Sequence, residues 1–418
     1  MTGAHDPGAA ERLADARDGV VRHDPDLIYL DGNSLGMLPA ATVDRLRHVV
    51  EQEWGGEQVR GWQHWADLPA AVGDRLGAAL LGAAAGQTVV CDSISLNLFK
   101  LAHAAVTHVR ATRPDRTVIV TDAGNFPSDR YVLQAVADQT GATVRWVDAD
   151  APYGITPERL AAALEPGDVA VVSLQLVDYR SGALLDLAAT TRQVHDAGAL
   201  ALWELAHAAG AVPVALDDAG ADLAVGCTYK YLNAGPGAPG FLYVNAALVD
   251  DLVSPIPGWW GAADPFAMDQ PYEPARGAMR FLAGSPPVLG LAAVDEGVRQ
   301  LAEVGIDALR EASRHLTDHL VDLADAWLAD LGFTVASPRD SAHRGGHVVL
   351  AHPEAYRIGR ALVARGVIGD VRPPDLLRLA PVPLATTHDD VEEGMRRLRD
   401  LVTAGEHLAL DPARDRVT

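Results

Sequence analysis

The sequence predicts an α/β protein whose central sheet is mostly parallel and covered by helices on both faces. Three observations support this fold class. Between residues 90 and 245, short apolar runs typical of buried strands alternate with segments of helical periodicity, a pattern typical of parallel sheets. The 418 residues exceed the size at which single cores stop growing, about 250 to 300 residues, so a second, smaller domain is expected. No fixed-period repeat indicates a solenoid.

The predicted elements of the larger domain alternate along the chain. Strands are expected at 116–122, 142–149, 168–175, 199–206 and 221–227. Helices are expected at 95–110, 128–140, 156–164 and 186–197. Because such sheets bind ligands beyond the carboxyl ends of their strands, functional residues should follow strands.

A weaker pattern follows and predicts a smaller α+β domain. Its elements are a helical stretch at 288–332, a strand at 347–351, and helices at 355–365 and 388–404. We therefore divide the chain into an N-terminal segment that joins the small domain, a large ligand-binding domain and a small C-terminal domain, at 1–60, 61–295 and 296–418.

The charge of the chain narrows the choice of partners. With 34 basic and 56 acidic residues the formal net charge is -22, and such a surface repels phosphate backbones and anionic lipid headgroups. We therefore expect no nucleic-acid or membrane partner, whereas an amino acid, which carries both charge signs, is tolerated.

The two cysteines, Cys91 and Cys227, stand in apolar stretches without the spacing of a zinc site, so buried thiols and no metal are expected. The N-terminus has no basic stretch leading into a long apolar run, and no segment reaches about 18 consecutive apolar residues. These features favour a cytoplasmic protein.

The most specific chemical signal is the segment CTYKYLNAGPGAPGFLYV at 227–244. A predicted strand there ends in Tyr229 and Lys230 and runs into a loop of glycine and proline. A lysine between tyrosines at the mouth of a sheet is poorly placed as a solvated surface charge. When it is desolvated, such a lysine is a competent amine nucleophile.

Two other segments supply the groups that would accompany a reactive lysine. Glu204 and His207 follow the strand in LWELAHAAGAV at 202–212, and Ser93 and Ser95 lie where VVCDSISLNLFKLAHAA at 89–105 turns from strand to helix. A Schiff base of lysine to pyridoxal 5'-phosphate (PLP) needs an acid at the pyridine nitrogen and donors for the phosphate, which helix N-termini provide. Each residue alone has an ordinary interpretation, Glu204 as a surface acid and Ser95 as a helix N-cap.

The segment DAGNFPSDRYVLQAV at 122–136 has the same layout. Phe126 follows a strand and could stack on a flat ring, and Asp129 lies near the start of a helix. A loop phenylalanine before proline is also an ordinary hydrophobic staple, so its role depends on the lysine and the carboxylate.

These segments resemble kynureninase, and the resemblance spans most of the chain. The matching motifs, in order, are YLDGNSLG (29–36), DSISLNLFK (92–100), NFPSD (125–129), VDYRSG (177–182), WELAHAAGAVPV (203–214), GCTYKYLNAGPGAPGFLYV (226–244), GWWG (258–261), FLAGSPPVLGLAA (281–293) and VIGDVRPPDLLRLAPVPL (367–384). The resemblance implies a fold type I PLP-dependent enzyme, with 61–295 as its PLP-binding domain. It also implies hydrolysis of L-kynurenine or 3-hydroxykynurenine to an anthranilate and L-alanine.

Carried over position by position, the resemblance implies two catalytic residues, Lys230 as the Schiff-base lysine and Tyr229 as a phosphate contact that also moves protons. Phe126 would stack on the pyridine ring, with Asp129, Glu204 and His207 around it. The phosphate would be held by Ile94, Ser95, Tyr229, Trp259 and Ser285, of which the last two would come from the other subunit of a homodimer with shared active sites. The substrate would contact Ser34 and Arg378, whose planar fork suits a carboxylate.

The chain departs from the family pattern at a central place. Glu204 stands where the family has an aspartate, and its extra methylene must bend or displace the ring. Gln175 and Ala262 also replace other polar residues, including a histidine after GWWG. Because of these departures, the sequence leaves more alternatives for the identity of the substrate than for that of the cofactor.

Several alternatives therefore remain at this stage. Fold alone does not decide the reaction, so a desulfurase-like lyase, an aminotransferase or a relative with an altered aryl substrate is possible. A desulfurase would need a mobile, exposed cysteine, which neither Cys91 nor Cys227 resembles. A non-catalytic protein that binds PLP is the alternative of another class, and the retained Lys230 argues against it.

Overall fold

The computed structural model describes residues 8–268 and 271–412, so the outermost residues of the two terminal segments, 1–7 and 413–418, lie outside it. The strands of the described chain are β1 Ile28–Tyr29, β2 Thr88–Val90, β3 Val118–Asp122, β4 Thr143–Val147, β5 Val169–Gln175, β6 Leu200–Glu204, β7 Leu223–Gly226, β8 Phe241–Val244, β9 Thr334–Val335, β10 Val348–Ala351, β11 Val367–Ile368, β12 Asp370–Arg372 and β13 Leu376–Leu379. Its α-helices are α1 Ala9–Asp18, α2 Ala40–His48, α3 Trp62–Trp65, α4 Leu68–Leu76, α5 Ile94–Thr112, α6 Pro127–Thr140, α7 Pro157–Leu164, α8 Leu187–Asp196, α9 Leu216–Ala219, α10 Val288–Val304, α11 Ile306–Trp327, α12 Ala355–Ala364 and α13 His388–Thr403.

The predicted α/β fold is confirmed. Seven strands form one sheet in the order β2-β8-β7-β6-β5-β3-β4. Strands β3 to β7 pair in parallel, and β8 joins them antiparallel, with β2 antiparallel at the edge. All five strands expected from the sequence are present, each one to three residues shorter than expected because pairing stops before the predicted ends.

Both faces of the central sheet are buried, which explains why its strands consist of continuous apolar residues in the sequence. Every residue of β5 is buried, and its alternate side chains enter different cores. Val172 packs with Trp203 in one core, and Val171 packs with Leu202 in the other. Because side chains alternate across a strand, a sheet covered on both faces needs apolar residues at successive positions.

The helical stretch at 288–332 forms two helices rather than one. They separate at Gly305, whose φ of 89° is left-handed backbone that side chains disfavour. Helix α10 packs on the core of the large sheet through residues such as Leu291 and Val298, whereas Leu316 and Leu320 of α11 belong to a third core. The predicted boundary at 295/296, which stays a prediction, falls inside α10.

The C-terminal part has its own antiparallel sheet, in the order β12-β13-β10-β9. The N-terminal segment joins it through a parallel pairing of β1 with β11. Ile28 and Leu30 accordingly lie in the third core, together with side chains of α11, α12 and α13. No helix in the described ranges is long and apolar enough to cross a bilayer.

Candidate active site

A pocket opens at the carboxyl ends of the central strands, where the sequence predicts the functional residues. Gln175 ends β5 and Glu204 ends β6, and the two are paired in register. Lys230 follows β7 by four residues. The pocket is lined by Ile94, Phe126, Ser128, Asp129, Gln175, Tyr179, Glu204, Ala206, His207, Cys227, Tyr229 and Lys230. Seven predicted cofactor residues are thus brought together from four separate segments.

Lys230 is half-buried at the centre of this pocket. Its Nζ lies 3.3 Å from Nε2 of His207 and 5.9 Å from the centre of the Tyr229 ring. The N-terminal segment holds its backbone, because the N–H of Gly36 donates to the carbonyl of Tyr229 at 2.8 Å. A Cβ at Gly36 would lie 2.2 Å from the carbonyl oxygen of Lys230, so only glycine allows this approach.

Glu204 shows how the longer side chain fits in place of aspartate. Its Oε1 accepts a hydrogen bond from the N–H of Ala206 at 2.7 Å, so the carboxylate bends back onto its own chain. Burial raises the pKa of Glu204, and the nearby charge of Asp129 raises it further. Burial also raises the pKa of Asp129. The charge of Lys230 acts to lower both pKa values but does not outweigh burial. A ligand with a positively charged N–H would therefore stabilise the charged form of these carboxyl groups.

The start of α5 offers an anion site beside Lys230. The N-cap of this helix is Ser93, whose Oγ accepts from the N–H of Leu96 at 3.3 Å, so the interpretation of Ser95 as the N-cap was wrong. The helix starts at Ile94, one residue beyond the cap, and the amides of Ile94 and Ser95 have no acceptor within the helix. Ile94 lines the pocket, and Ser95 does not. Such an N-terminus favours a phosphate.

These groups fit PLP. An amine, a deep carboxyl group, an aromatic ring at the entrance and a helix N-terminus surround one cavity, and they match the aldehyde, pyridine nitrogen, ring face and phosphate of that molecule. The ring at the entrance is Phe126, which is 42% exposed. Its edge meets Tyr179 at 5.2 Å between ring centres.

Arg378 and Ser34 contact each other next to the pocket, although 344 residues separate them, and neither residue belongs to the pocket lining. Arg378 lies on β13 and is buried. Its Nε donates to Oδ1 of Asp370 at 2.6 Å, and its Nη2 donates to Oγ of Ser34 at 3.3 Å. Burial acts to raise the pKa of Asp370, but the hydrogen bond and charge of Arg378 outweigh it and leave that pKa lowered.

Trp259 and Ser285 do not line this pocket. Trp259 is 42% exposed, donates its indole N–H to the carbonyl of Pro265 and packs against Trp260 at 5.0 Å between ring centres. Ser285 is exposed. Within this one chain, the predicted phosphate contacts are therefore incomplete.

Tyr179 and His347 were not among the site residues predicted from the sequence. Tyr179 joins the two sides of the pocket, because its carbonyl accepts from Nη1 of Arg378 at 2.5 Å and its N–H donates to Oε1 of Gln175 at 2.9 Å. Its position in the matching motif VDYRSG was the available signal. His347 directly precedes β10, two residues before Val349, which pairs in register with Arg378, and nothing local in the sequence distinguishes it.

Comparison with known proteins agrees with this geometry. Residues 309–398 match the family model of the kynureninase C-terminal domain. A kynureninase of Pseudomonas fluorescens is 45% identical over 90% of this chain and 89% of its own, and one of Burkholderia pseudomallei is 42% identical over the same shares. The chain belongs to the kynureninase family. The resemblance seen in the motifs is thereby confirmed.

Solved structures with much lower identity share the kynureninase fold. A cysteine desulfurase of Thermococcus onnurineus superposes with a TM-score of 0.79 at 18% identity, covering 97% of this chain and 100% of the desulfurase. A cysteine desulfurase of Escherichia coli gives a TM-score of 0.78 at 18% identity over 94% and 98%. At this identity the likeness concerns the fold alone. The roles given to individual site residues stay predictions.

Proposed function

We propose that this chain hydrolyses the Cβ–Cγ bond of L-kynurenine or 3-hydroxykynurenine, releasing anthranilate or 3-hydroxyanthranilate and L-alanine. The chain is a PLP-dependent enzyme of the kynureninase family. One observation carries the proposal. Lys230 and Tyr179 line the same pocket, and the carbonyl of Tyr179 accepts a hydrogen bond from Arg378. The guanidinium of Arg378, a group that binds carboxylates, therefore lies next to the pocket that holds the nucleophilic amine, which suits an amino acid substrate.

Lys230 is the proposed attachment point of the cofactor. When bound, PLP acts as an electron sink for an amino acid attached to its aldehyde carbon. The amine of Lys230 would then be available to take the Cα proton of the substrate. Tyr229 adjoins it and is the second proposed proton carrier.

Glu204 and Asp129 are the proposed partners of the pyridine side. Because both carboxyl groups have raised pKa values through burial, a pyridinium N–H would relieve the cost of their charge. His207 would stand beside the ring. Phe126 would cover one ring face, and the first amides of α5, at Ile94 and Ser95, would bind the phosphate.

Arg378 and Ser34 are the proposed contacts of the substrate carboxylate. Asp370 holds the guanidinium in a buried ion pair, so its fork is oriented before the substrate arrives. An α-carboxylate there would place the amino acid chain toward Lys230.

The desulfurase alternative is not favoured. Cys91 is buried, and burial raises its pKa. Cys227 lies in the pocket wall, where burial raises its pKa to about 11. Neither thiol is the exposed, low-pKa nucleophile that sulfur transfer requires. Membership of the kynureninase family does not favour an aminotransferase or a non-catalytic protein either.

A cytoplasmic homodimer is the proposed working form. Trp259 and Ser285 do not reach the pocket of their own chain, and their exposure leaves them available to a second subunit. Light scattering of the purified protein should give twice the mass of the chain, and a monomer with full activity would contradict this part of the proposal.

A direct assay tests the reaction. Purified protein loaded with PLP is incubated with L-kynurenine and with 3-hydroxykynurenine, and anthranilate fluorescence and alanine release are followed. Both products should appear in equal amounts, and Lys230→Ala should lower the rate by roughly 10³-fold or more and remove the absorbance of the linked cofactor. Lys100→Met is the control, because Lys100 is a buried lysine held by Asp92 outside the pocket. Release of a keto acid in place of alanine would refute the proposal.

A further inference from the structure

Two buried histidines behind Lys230 have ring nitrogens without hydrogen-bond partners among the described residues. Nε2 of His207 contacts Nζ of Lys230, but its Nδ1 has no hydrogen-bond partner among the described residues. The same holds for both Nδ1 and Nε2 of His347. Both residues are at most 3% exposed. The ring centres are 5.6 Å apart. Buried polar atoms without partners are rare, and an ordered water commonly supplies what is missing.

The surroundings make this a polar site. Oη of Tyr231 is a further buried atom without a partner in residues 8–268 and 271–412, and it lies 2.8 Å from the place of a Cβ on Gly346, the neighbour of His347. The charged groups that face the pair are Lys230, Arg378, Arg372 and Asp370. Gly182 packs against the His347 ring, since a Cβ there would lie 3.3 Å from Nε2.

We propose that His347 is a positioning residue for this reaction, and that it supplies, through one buried water, the hydrogen-bond partner that Nδ1 of His207 lacks. The inference rests on the proposed role of Lys230. It concerns only the hydrogen bond that orients His207, and it assigns no bond-making step to His347.

The hydrogen bond to Lys230 explains why such a partner is needed. A protonated Lys230 donates to Nε2 of His207, so the single proton of a neutral imidazole must then sit on Nδ1 and needs an acceptor. A neutral Lys230 can instead accept from Nε2, which leaves Nδ1 needing a donor. A water can donate or accept, and so can the two nitrogens of His347. The pair therefore stabilises His207 in either state of the lysine.

The electrostatics agree with two neutral rings. Burial and the charge of Lys230 keep the pKa of His207 well below its usual value, and burial with the charge of Arg378 lowers that of His347 to about 3. Neither ring stores a proton as a cation at neutral pH. Their contribution is the placement of a hydrogen bond, as for the outer partners of other catalytic histidines.

The test uses the PLP-loaded enzyme without substrate, so it is independent of whether kynurenine is the substrate. The pH dependence of the cofactor absorbance reports whether Lys230 Nζ holds its proton. His347→Leu removes both nitrogens at similar volume and should move the midpoint of this titration by about one pH unit, because the orientation of His207 is lost. His347→Gln keeps a donor and an acceptor and should restore the midpoint. With substrate, kcat should fall roughly 10- to 100-fold in His347→Leu and change far less in His347→Gln.

His407→Leu is the matched control, because His407 is also buried and its Nδ1 has no partner in the part of the chain that the structure describes, but it lies in the C-terminal turn Glu406–Ala409. Its titration should equal that of the wild type. An unchanged midpoint in His347→Leu, or an equal shift in His347→Gln, would overturn the proposal. Should His347→Leu fail to fold, a crystal structure of the wild-type holoenzyme decides: a water bound to both rings supports the proposal, and its absence from ordered density overturns it.

Discussion

The two sides of the pocket differ in how their charges are satisfied. On the cofactor side, Glu204 and Asp129 are buried acids with raised pKa values. Nδ1 of His207 there has no hydrogen-bond partner among the described residues. On the substrate side, Arg378 is already paired with Asp370, whose pKa is lowered. The cofactor side is therefore completed by the positive charge of its ligand, whereas the substrate side holds the guanidinium of Arg378 in a fixed orientation before its ligand binds.

The difference reflects what each side binds. A resident cofactor stays through many turnovers, so a site that is completed only by that cofactor gains affinity from every group it satisfies. A substrate arrives and leaves in each cycle, and a fork that is oriented beforehand saves the cost of ordering it each time. Three sets of variants test this comparison.

The largest effect is expected at the substrate side. Arg378→Ala should lower kcat/KM by roughly 100-fold or more, mainly through KM, because it removes the fork and leaves Asp370 with Arg372 as its remaining ion-pair partner among the described residues. Arg378→Lys keeps the charge but loses the bidentate geometry, and it should recover only part of the loss. Steady-state kinetics measure both.

Arg280→Ala is the control for the loss of a buried arginine, since Arg280 pairs with Asp250 outside the pocket. Its KM should remain near that of the wild type. If Arg378→Ala affected kcat alone and left KM unchanged, the role of Arg378 in binding the carboxylate would be wrong.

The second test compares the pH dependence of stability on the two sides of the apoprotein. A raised pKa, as at Glu204, means that stability is present below the ordinary carboxyl pKa and is lost as pH rises through the raised value. Glu204→Gln mimics the protonated acid, so its advantage in free energy of unfolding should grow from pH 5 to pH 8. Urea unfolding at several pH values measures it.

Asp370→Asn should behave in the opposite way. A lowered pKa means that stability is present above the ordinary value of 3.8 and is lost only as pH falls through the lowered value. The variant should therefore be less stable than the wild type by about 2 kcal/mol or more, as for a broken buried ion pair. That deficit should stay constant between pH 5 and pH 8. If the free energies of unfolding of Glu204→Gln and Asp370→Asn, each relative to the wild type, changed with pH in the same way, the proposed difference between the cofactor side and the substrate side would be wrong.

The smallest effect is expected from Glu204→Asp. The shorter acid keeps a carboxyl group at the end of β6 and matches the pattern from which this chain departs. Activity should change by less than about fivefold and could rise, because the carboxylate no longer has to bend back to the N–H of Ala206. Loss of activity on this change would show that the bent geometry of Glu204 is itself required.

Much of the cofactor side could be predicted from the sequence, because its residues follow successive strands of one sheet. Lys230, Glu204, His207, Phe126 and Asp129 each stand within a few residues of a strand end, and parallel strands bring such ends together. The N-cap of α5 was misassigned by two residues, since both Ser93 and Ser95 satisfy the same local preference. The division at Gly305 was missed because helical periodicity continues on both sides of it.

The sequence by itself determined the alternation of strands and helices, the lysine and its acid, and the family, because each depends on local periodicity or on contiguous motifs. Only the tertiary structure decided which distant residues line or adjoin the pocket. Tyr179, which lines it, comes from a loop after β5. Ser34, His347 and Arg378 come from an N-terminal turn, the residue before β10 and strand β13. No local pattern links them, since their proximity arises from the packing of one domain against the other.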